Sequence, residues 1–363
     1  MSKIELRREP QEGRTRIELL VDGEHASGLV VLDLQVRIGE VSVRCGGIGG
    51  VHTETPYRMR GYARQVIDES LNYMRQEGMA IAALFGIADF YHQFGFAPAL
   101  VDSEFSVLTR YAEKARLRHQ VREFRAEDAG AILEIYTALR GAHSGSIVRD
   151  PASWKGFTRG AGWTSRVGAY VVIEGTQILG YAAYNLEPQR FALAEVGYRD
   201  PSVFETLLAE AARRAVALRQ ERIPIHGPLD DPFARYCQRY GAECKLHYPY
   251  NGGGMARGID QAALFTQLQP LWRGRMAEAG LGVWSGTLVI ETELGVERLD
   301  LGGATPEVHI RLPQALLVQL VFGYRDVDDA LFESEAIADD AARPLLRTLF
   351  PAGQPYLWPN DRF

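Results

Sequence analysis

Cysteine is scarce in this chain: Cys45, Cys237 and Cys244 are the three among 363 residues, with no C-x-x-C spacing. An odd, scattered set frames neither a disulfide network nor a zinc site, so no metal is expected. A basic excess is lacking too, since 40 Lys and Arg stand against 46 Asp and Glu, a net charge of −6. Without a basic tail or stripe the charge balance argues against nucleic acid as the main partner. No apolar run approaches the length needed to span a bilayer, and Ser2-Lys3-Ile4-Glu5 has no apolar signal region. The expected setting is a reducing cytoplasm. Two phosphate motifs are missing as well. There is no G-x-x-x-x-G-K-[ST], and the dinucleotide fingerprint begun by Gly47 and Gly49 fails where His52 takes the third glycine position.

What remains is an ordinary globular composition, 46% hydrophobic and 24% charged. The length allows two or three domains, each with enough apolar content for a core. The most informative stretch runs from Ile48 to Phe96. An apolar strand, Ile48-Gly49-Gly50-Val51-His52-Thr53, delivers the chain to Arg58-Met59-Arg60-Gly61-Tyr62-Ala63, and an amphipathic helix follows. Glycine and small residues let backbone amides point at one spot, two arginines flank them, and the helix N-terminus faces the same place. Unpaired first-turn N–H groups and the positive end of the helix dipole make an anion cradle suited to a pyrophosphate.

Ahead of that stretch, alternation and turn dipeptides predict strands at 16–21, ending at Asp22-Gly23, and at 29–36, 41–44 and 46–53. Glycines inside the last of these suggest a bulge or a close backbone approach. No helical pattern fits before Leu29. The helix after Gly61 places Ala63, Ile67, Ser70, Leu71 and Met74 on one face and stops at Gly78. Residues 80–85 read as a buried strand and 88–93 as a brief helix. A second unit is expected from near Gln120, with a strand at 121–124, a helix at 127–140, a hairpin over 169–184, a strand at 193–198 and a helix at 201–219. Here Tyr236-Cys237-Gln238-Arg239-Tyr240-Gly241-Ala242 echoes Phe90-Tyr91-His92-Gln93-Phe94-Gly95-Phe96, and both follow strand–helix–strand. In the second copy only Arg199-Asp200-Pro201 separates strand from helix, so the arginine–glycine cradle is gone, and Cys237 replaces Tyr91. Arg149, Asp150 and Trp154 read as packing groups. Asn251-Gly252-Gly253-Gly254 reads as a linker, followed by a helix at 260–279, strands at 286–292, 296–301 and 308–312, and a leucine-rich helix at 313–322.

Arg58 to Ala63 resembles the Arg/Gln-x-x-Gly-x-Gly/Ala signature of the GNAT acyltransferases, which grip the pyrophosphate of coenzyme A. With the F-Y-x-x-F-G-F segment, the degenerate second unit and the ending Asp361-Arg362-Phe363, nearly the whole chain resembles the Eis-like acetyltransferases. The resemblance implies an α/β (α+β) architecture: two tandem GNAT folds, with mixed, mostly antiparallel sheets and flanking helices, then an α+β sterol-carrier-protein-like domain. The implied divisions are 1–118 for the catalytic, acetyl-CoA-binding domain and 119–255 for the degenerate one. The carrier-like domain, 256–363, would bring the C-terminus to the active site. Acetyl-CoA is the implied donor, held by the amides of Val51 and Thr53 along the pantetheine and by Arg58, Met59, Arg60, Gly61, Tyr62 and Ala63 at the pyrophosphate. Tyr91 matches the family's general acid, which protonates the departing thiolate, and the α-carboxylate of Phe363 matches its general base. The acceptor would be a primary amine, on a small molecule or a lysine side chain, and the family's hexamers imply a homo-oligomer. Two departures stand out: Met59 lies where an arginine is common, and the two helices usual between the first two strands are missing.

The chemistry is consistent with these roles. Aminolysis of a thioester needs a neutral amine, a stabilised oxyanion and a protonated leaving group. Tyrosine, with a reference pKa of ~10, can protonate a thiolate of ~8.5 within a hydrogen bond. A terminal carboxylate, near ~3.5, becomes a better base on burial, and Tyr356, Leu357 and Trp358 make the tail apolar. Glu54 is a rival base, while His52 and His92 are neighbours of the site. The leading function is therefore an acetyl-CoA-dependent N-acetyltransferase. Its main alternative is a non-catalytic acyl-CoA or lipid-binding protein. A longer-chain acyltransferase like the N-myristoyltransferases, which also pair two GNAT units, ranks lower for want of a carrier-like domain.

Overall fold

In the computed structural model, residues 2–187, 190–281, 286–301, 307–333 and 336–363 are described. The chain opens as an antiparallel meander of β1 (Ile4–Gln11), β2 (Arg14–Val21), β3 (Glu24–Ile38) and β4 (Val41–Thr53). Asp22 and Gly23 both take positive φ, 53° and 89°, the pair of left-handed residues that a type I′ hairpin turn requires. No helix interrupts the meander, as the missing helical pattern implied. β1 was not expected: it is exposed along almost its whole length and too charged to read as a strand, a usual guise for a protected sheet edge. The two strands expected at 41–44 and 46–53 are one continuous β4.

From β4 the chain passes to α1 (Tyr62–Gln76), β5 (Ile81–Gly86), a single 3-10 turn at Tyr91–Phe94 in place of the expected helix, and β6 (Ala97–Pro98). α1 buries Tyr62, Val66, Ile67, Ser70, Leu71 and Met74 at helical spacing against Ile48, Leu84 and the β2–β3 core. Each apolar side chain buried this way contributes about 1.5–3 kcal/mol. Gly46 permits the contact, because a Cβ there would stand 2.6 Å from the sulfur of Met74.

The glycine-rich segment expected as a linker, 251–254, runs into a strand that begins at Gly253. Gly253–Gly258 pairs antiparallel with β5 and with β6, giving a first sheet of order β1-β2-β3-β4-β5-(253–258)-β6. Its glycines are needed for packing: a Cβ on Gly254 would lie 2.7 Å from the Leu100 side chain. In return Asp102–Leu108 belongs to the second seven-stranded sheet, whose order is (242–247)-(102–108)-(222–226)-(193–198)-(177–185)-(167–174)-(120–123). The expected boundary at 118/119 therefore lies beyond a strand of the second sheet, and the one at 255/256 falls inside a strand of the first.

Contacts group residues up to Leu100 with Pro249–Pro355 and Phe363, and Val101–Tyr248 with Tyr356–Arg362. The region expected as a third domain thus joins the first unit. A four-stranded sheet of Gly295–Asp300, Thr287–Thr292, Glu307–Arg311 and Ile337–Ala338 carries the helices Gln261–Glu278, Gln314–Phe322 and Arg343–Leu349. Polar side chains tie these helices to the first sheet. Gln314 donates to the Gly95 carbonyl at 2.6 Å, Gln319 to that of Pro98 at 2.9 Å, and Gln267 accepts from the Arg44 amide at 2.8 Å. Among the described residues no helix is long and apolar enough to cross a membrane.

The second unit has its own core of Tyr170, Leu193, Phe204, Leu207, Ile223 and Phe233. At its centre Arg149, expected as a packing group, forms ion pairs with Glu195 at 2.5 Å and with Asp361 at 2.9 Å. Asn360 also donates to Glu195 at 3.0 Å, so residues just before the C-terminus are fastened inside this unit.

Candidate active site

β4 and β5 run parallel from Cys45 opposite Ile81 to Ile48 opposite Leu84, and there their pairing ends. β4 continues to Thr53 paired with β3 alone, and a bulge near Gly50 (φ 63°) turns it further. Past Ile48 the two strands therefore part and leave an edge of β4 open. Just past β4, Glu54 donates its amide to the Ala26 carbonyl of β3 at 2.9 Å. Strand alternation turns the amide of Thr53, one residue earlier, to the open edge, and Val51 shares that direction. Arg58 Nε meets the Thr53 carbonyl on this edge at 3.2 Å.

The cradle follows at once. Gly61 caps α1 in the left-handed region, φ 76°, and no side chain caps the first turn. The first helical bond is from the Gln65 amide to the Gly61 carbonyl at 3.2 Å, which leaves the amides of Tyr62, Ala63 and Arg64 for a ligand. Arg58, Met59 and Arg60 are exposed around them, with no acidic residue in the first turn. Met59, at φ 61°, is fully exposed. Ala63 sits at the mouth, while Tyr62 turns into the core. These groups suit a pyrophosphate: free N–H donors, the positive helix end and exposed guanidinium groups.

Tyr91 and Phe363 reach the open end of the strand pair from opposite faces. Tyr91 is buried in the α1 face among Leu84, Phe94 and Phe96. Its ring lies over Gly86, where a Cβ would be 2.6 Å from Cδ2. Burial raises the pKa of its hydroxyl, so the phenol keeps its proton. Phe363 lies on the other face. Its ring meets that of Phe85 edge-on, 6.2 Å between centroids, and comes within 2.9 Å of where a Gly47 Cβ would stand. Its carboxyl carbon is 3.4 Å from the Cβ that Gly49 lacks. The close approach suggested by the β4 glycines is thus made by the chain's own C-terminus. An extended ligand lying between β4 and β5 would meet a phenol on one side and a carboxylate on the other.

Two contributors went unnoticed in the sequence. Gly86 makes room for Tyr91, and Phe85 forms the surface against which Phe363 packs. A glycine ending an apolar strand was the available signal for the first. Nothing local marks the second.

The family model of the acetyltransferase (GNAT) domain matches residues 3–99. No curated protein matches the chain. Among solved structures, a probable N-acyltransferase from Enterococcus faecalis is 16% identical, covers 100% of both chains and superposes with a TM-score of 0.78. A GCN5-related N-acetyltransferase from Kribbella flavida is 18% identical over 96% of this chain and 87% of its own, with a TM-score of 0.70. Eis1 from Mycobacterium abscessus is 17% identical over 97% and 92%, with a TM-score of 0.63. At such identities the likeness is one of fold. Residues 3–99 match a GNAT acetyltransferase domain, and nearly the whole chain shares its fold with N-acetyltransferase structures.

Proposed function

We propose that the protein is an acetyl-CoA-dependent N-acetyltransferase acting on a primary amine. One observation supports the reading: the ring of the buried Tyr91 lies over Gly86 and the Phe363 carboxyl carbon beside Gly49, on the two strands that part ahead of a helix N-terminus with no side-chain cap. Arg58, Arg60 and the amides of Gly61, Tyr62 and Ala63 hold the pyrophosphate, with Met59 at the rim. Val51 and Thr53 offer their open-edge amides to the pantetheine. The Phe363 carboxylate takes a proton from the attacking amine. Nitrogen bonds to the acetyl carbon, the carbon–sulfur bond breaks, and Tyr91 protonates the departing thiolate. In this reading the second unit is a degenerate copy of the first, the region from residue 256 is sterol-carrier-like, and the active form is a homo-oligomer.

Thiol release from acetyl-CoA with a panel of polyamines, lysine peptides, aminoglycosides and arylalkylamines tests it. Release should require an amine and collapse when Phe363 is removed. Saturable acetyl-CoA binding with no release for any amine would replace the enzyme with a non-catalytic acyl-CoA-binding protein.

A further inference from the structure

On the face of the first sheet that carries Phe363, two imidazoles stack on one another. They are His25 of β3 and His52 of β4, 4.9 Å between centroids and 16° from parallel. Glu54 follows directly after β4, and one ligand atom from each of the three residues lies within 4.8 Å of the other two. His52 Nδ1 stands 3.0 Å from the Gly50 carbonyl. That contact assigns the proton to Nδ1 and leaves the lone pair on Nε2, the arrangement in which metal-ligating histidines are oriented. His25 Nε2 is buried without a hydrogen-bond partner among the described residues; Glu18 Oε1, at 3.7 Å, is too far for a hydrogen bond but pairs with the imidazole when that is protonated. Gly28 lies beneath both rings. A Cβ there would stand 3.0 Å from His25 Nε2 and 3.3 Å from His52 Cε1.

Packing alone explains this poorly. A part-exposed histidine loses nothing by turning its nitrogen to water, whereas His25 Nε2 is withheld from water and makes no hydrogen bond, with only the Glu18 carboxylate at ion-pair distance. We propose that His25, His52 and Glu54 form a three-ligand site for a divalent transition-metal ion of the zinc type. Two imidazoles and one carboxylate, with a fourth position open, are a recognised zinc donor set, and imidazole favours zinc over harder cations. Tetrahedral zinc holds its ligand atoms ~3.3 Å apart. Closure requires a rotamer change of the exposed Glu54 and a turn of the exposed His52 ring out of the stack, because stacked, near-parallel imidazoles do not aim their in-plane lone pairs at one ion. The expectation of no metal rested on cysteine spacing, and this site uses none.

The test needs no acetyl transfer, so it stands apart from the proposed activity. The full chain, stripped with chelator, is titrated with Zn2+ by calorimetry, and with Co2+ to observe the visible bands of a nitrogen–oxygen site. One equivalent should bind with micromolar or tighter affinity and raise the melting temperature. His52→Gln and Glu54→Gln, both at exposed positions, should each weaken binding roughly tenfold or more while melting like the parent without metal. His309→Gln, in the four-stranded sheet, should leave binding unchanged. Wild-type binding no tighter than millimolar, or binding that survives His52→Gln intact, would overturn the site and leave the stacked pair as packing.

Discussion

Each unit contains a parallel strand pair linked by a helix, and the two pairs differ in what surrounds them. In the first, β4 and β5 separate beyond Ile48, the facing positions are Gly47 and Gly49, and α1 begins at the uncapped Gly61. In the second, Leu193–Tyr198 and Arg222–His226 flank the helix Phe204–Ala217. There the turn before the helix is closed by Asp200, whose carboxylate accepts from the Ser202 amide at 2.8 Å. The strand carries Glu195, fully buried against Arg149, and Gly197, where a Cβ would meet the Tyr181 ring at 2.2 Å. An acidic cap and a filled gap cannot receive an anion; an uncapped glycine and bare edge can. Both units still end their following 3-10 turn on a left-handed glycine, Gly95 at φ 78° and Gly241 at φ 74°. Where one has Tyr91 the other has Cys237, wholly buried, with its thiol pKa pushed up by burial. The backbone plan recurs while the residues around the gap differ.

The largest effect should come from breaking the filled gap. Arg149→Met leaves Glu195 and Asp361 buried without their shared cation, and removal of one partner from such a pair costs about 3–5 kcal/mol. Denaturant unfolding of the variant should show that loss. A change under about 1 kcal/mol would mean the knot is not what holds the second unit together. Next comes the open gap. Tyr91→Phe removes the proton donor and little else, so kcat should fall about 100-fold or more while the acetyl-CoA dissociation constant stays within about twofold of the parent. Equal losses in both would sink the role given to Tyr91.

The uncapped helix start was legible because Arg58 to Ala63 place arginines, a glycine and a small residue in order between a strand and a helix, and the structure has Gly61 there in the left-handed region with no side-chain cap. The reason for the β4 glycines was only half legible. Their spacing signalled a close approach, but the approaching group, Phe363, is remote in sequence and was expected at this site by resemblance alone. The same limit hid the Arg149–Asp361 pair, whose members are 212 residues apart; Arg149 by itself looks like packing. Gly253–Gly258 was misread because glycine normally marks a linker, whereas here Gly254 admits Leu100. β1 was missed because charge on an exposed edge strand erases the alternation that identifies buried ones.

A smaller change sharpens the comparison at the helix start. Gly61→Ala forces a Cβ into the left-handed region, at a cost of about 1–2 kcal/mol, although the space around it is open. The turn should relax and misdirect its amides, weakening acetyl-CoA binding about tenfold in calorimetry. The corresponding change before the second helix, Asp200→Ala, should leave that affinity unaltered. Were Gly61→Ala to bind acetyl-CoA like the parent, the left-handed cap would not be part of the cradle.

The smallest effect expected is the absence of one. Burial raises the Tyr91 pKa, so the folded protein holds the phenolic proton to higher pH than a free tyrosine, whose value is ~10. The sign follows for stability and for rate alike. The stabilisation from the neutral buried phenol is present below the unfolded pKa and is lost as pH rises through the folded one. The acid form that the proposed mechanism requires persists over the same range. With acetyl-CoA and amine saturating, kcat should therefore show no alkaline fall assignable to Tyr91 below pH ~10. Cys237, at the matching place in the other unit, is buried away from solvent and should contribute no titration to the rate at all. An alkaline limb near pH ~8.5 in the parent that vanishes in Tyr91→Phe would show an ionising, not merely buried, phenol. The proton would then have to reach the thiolate from another group.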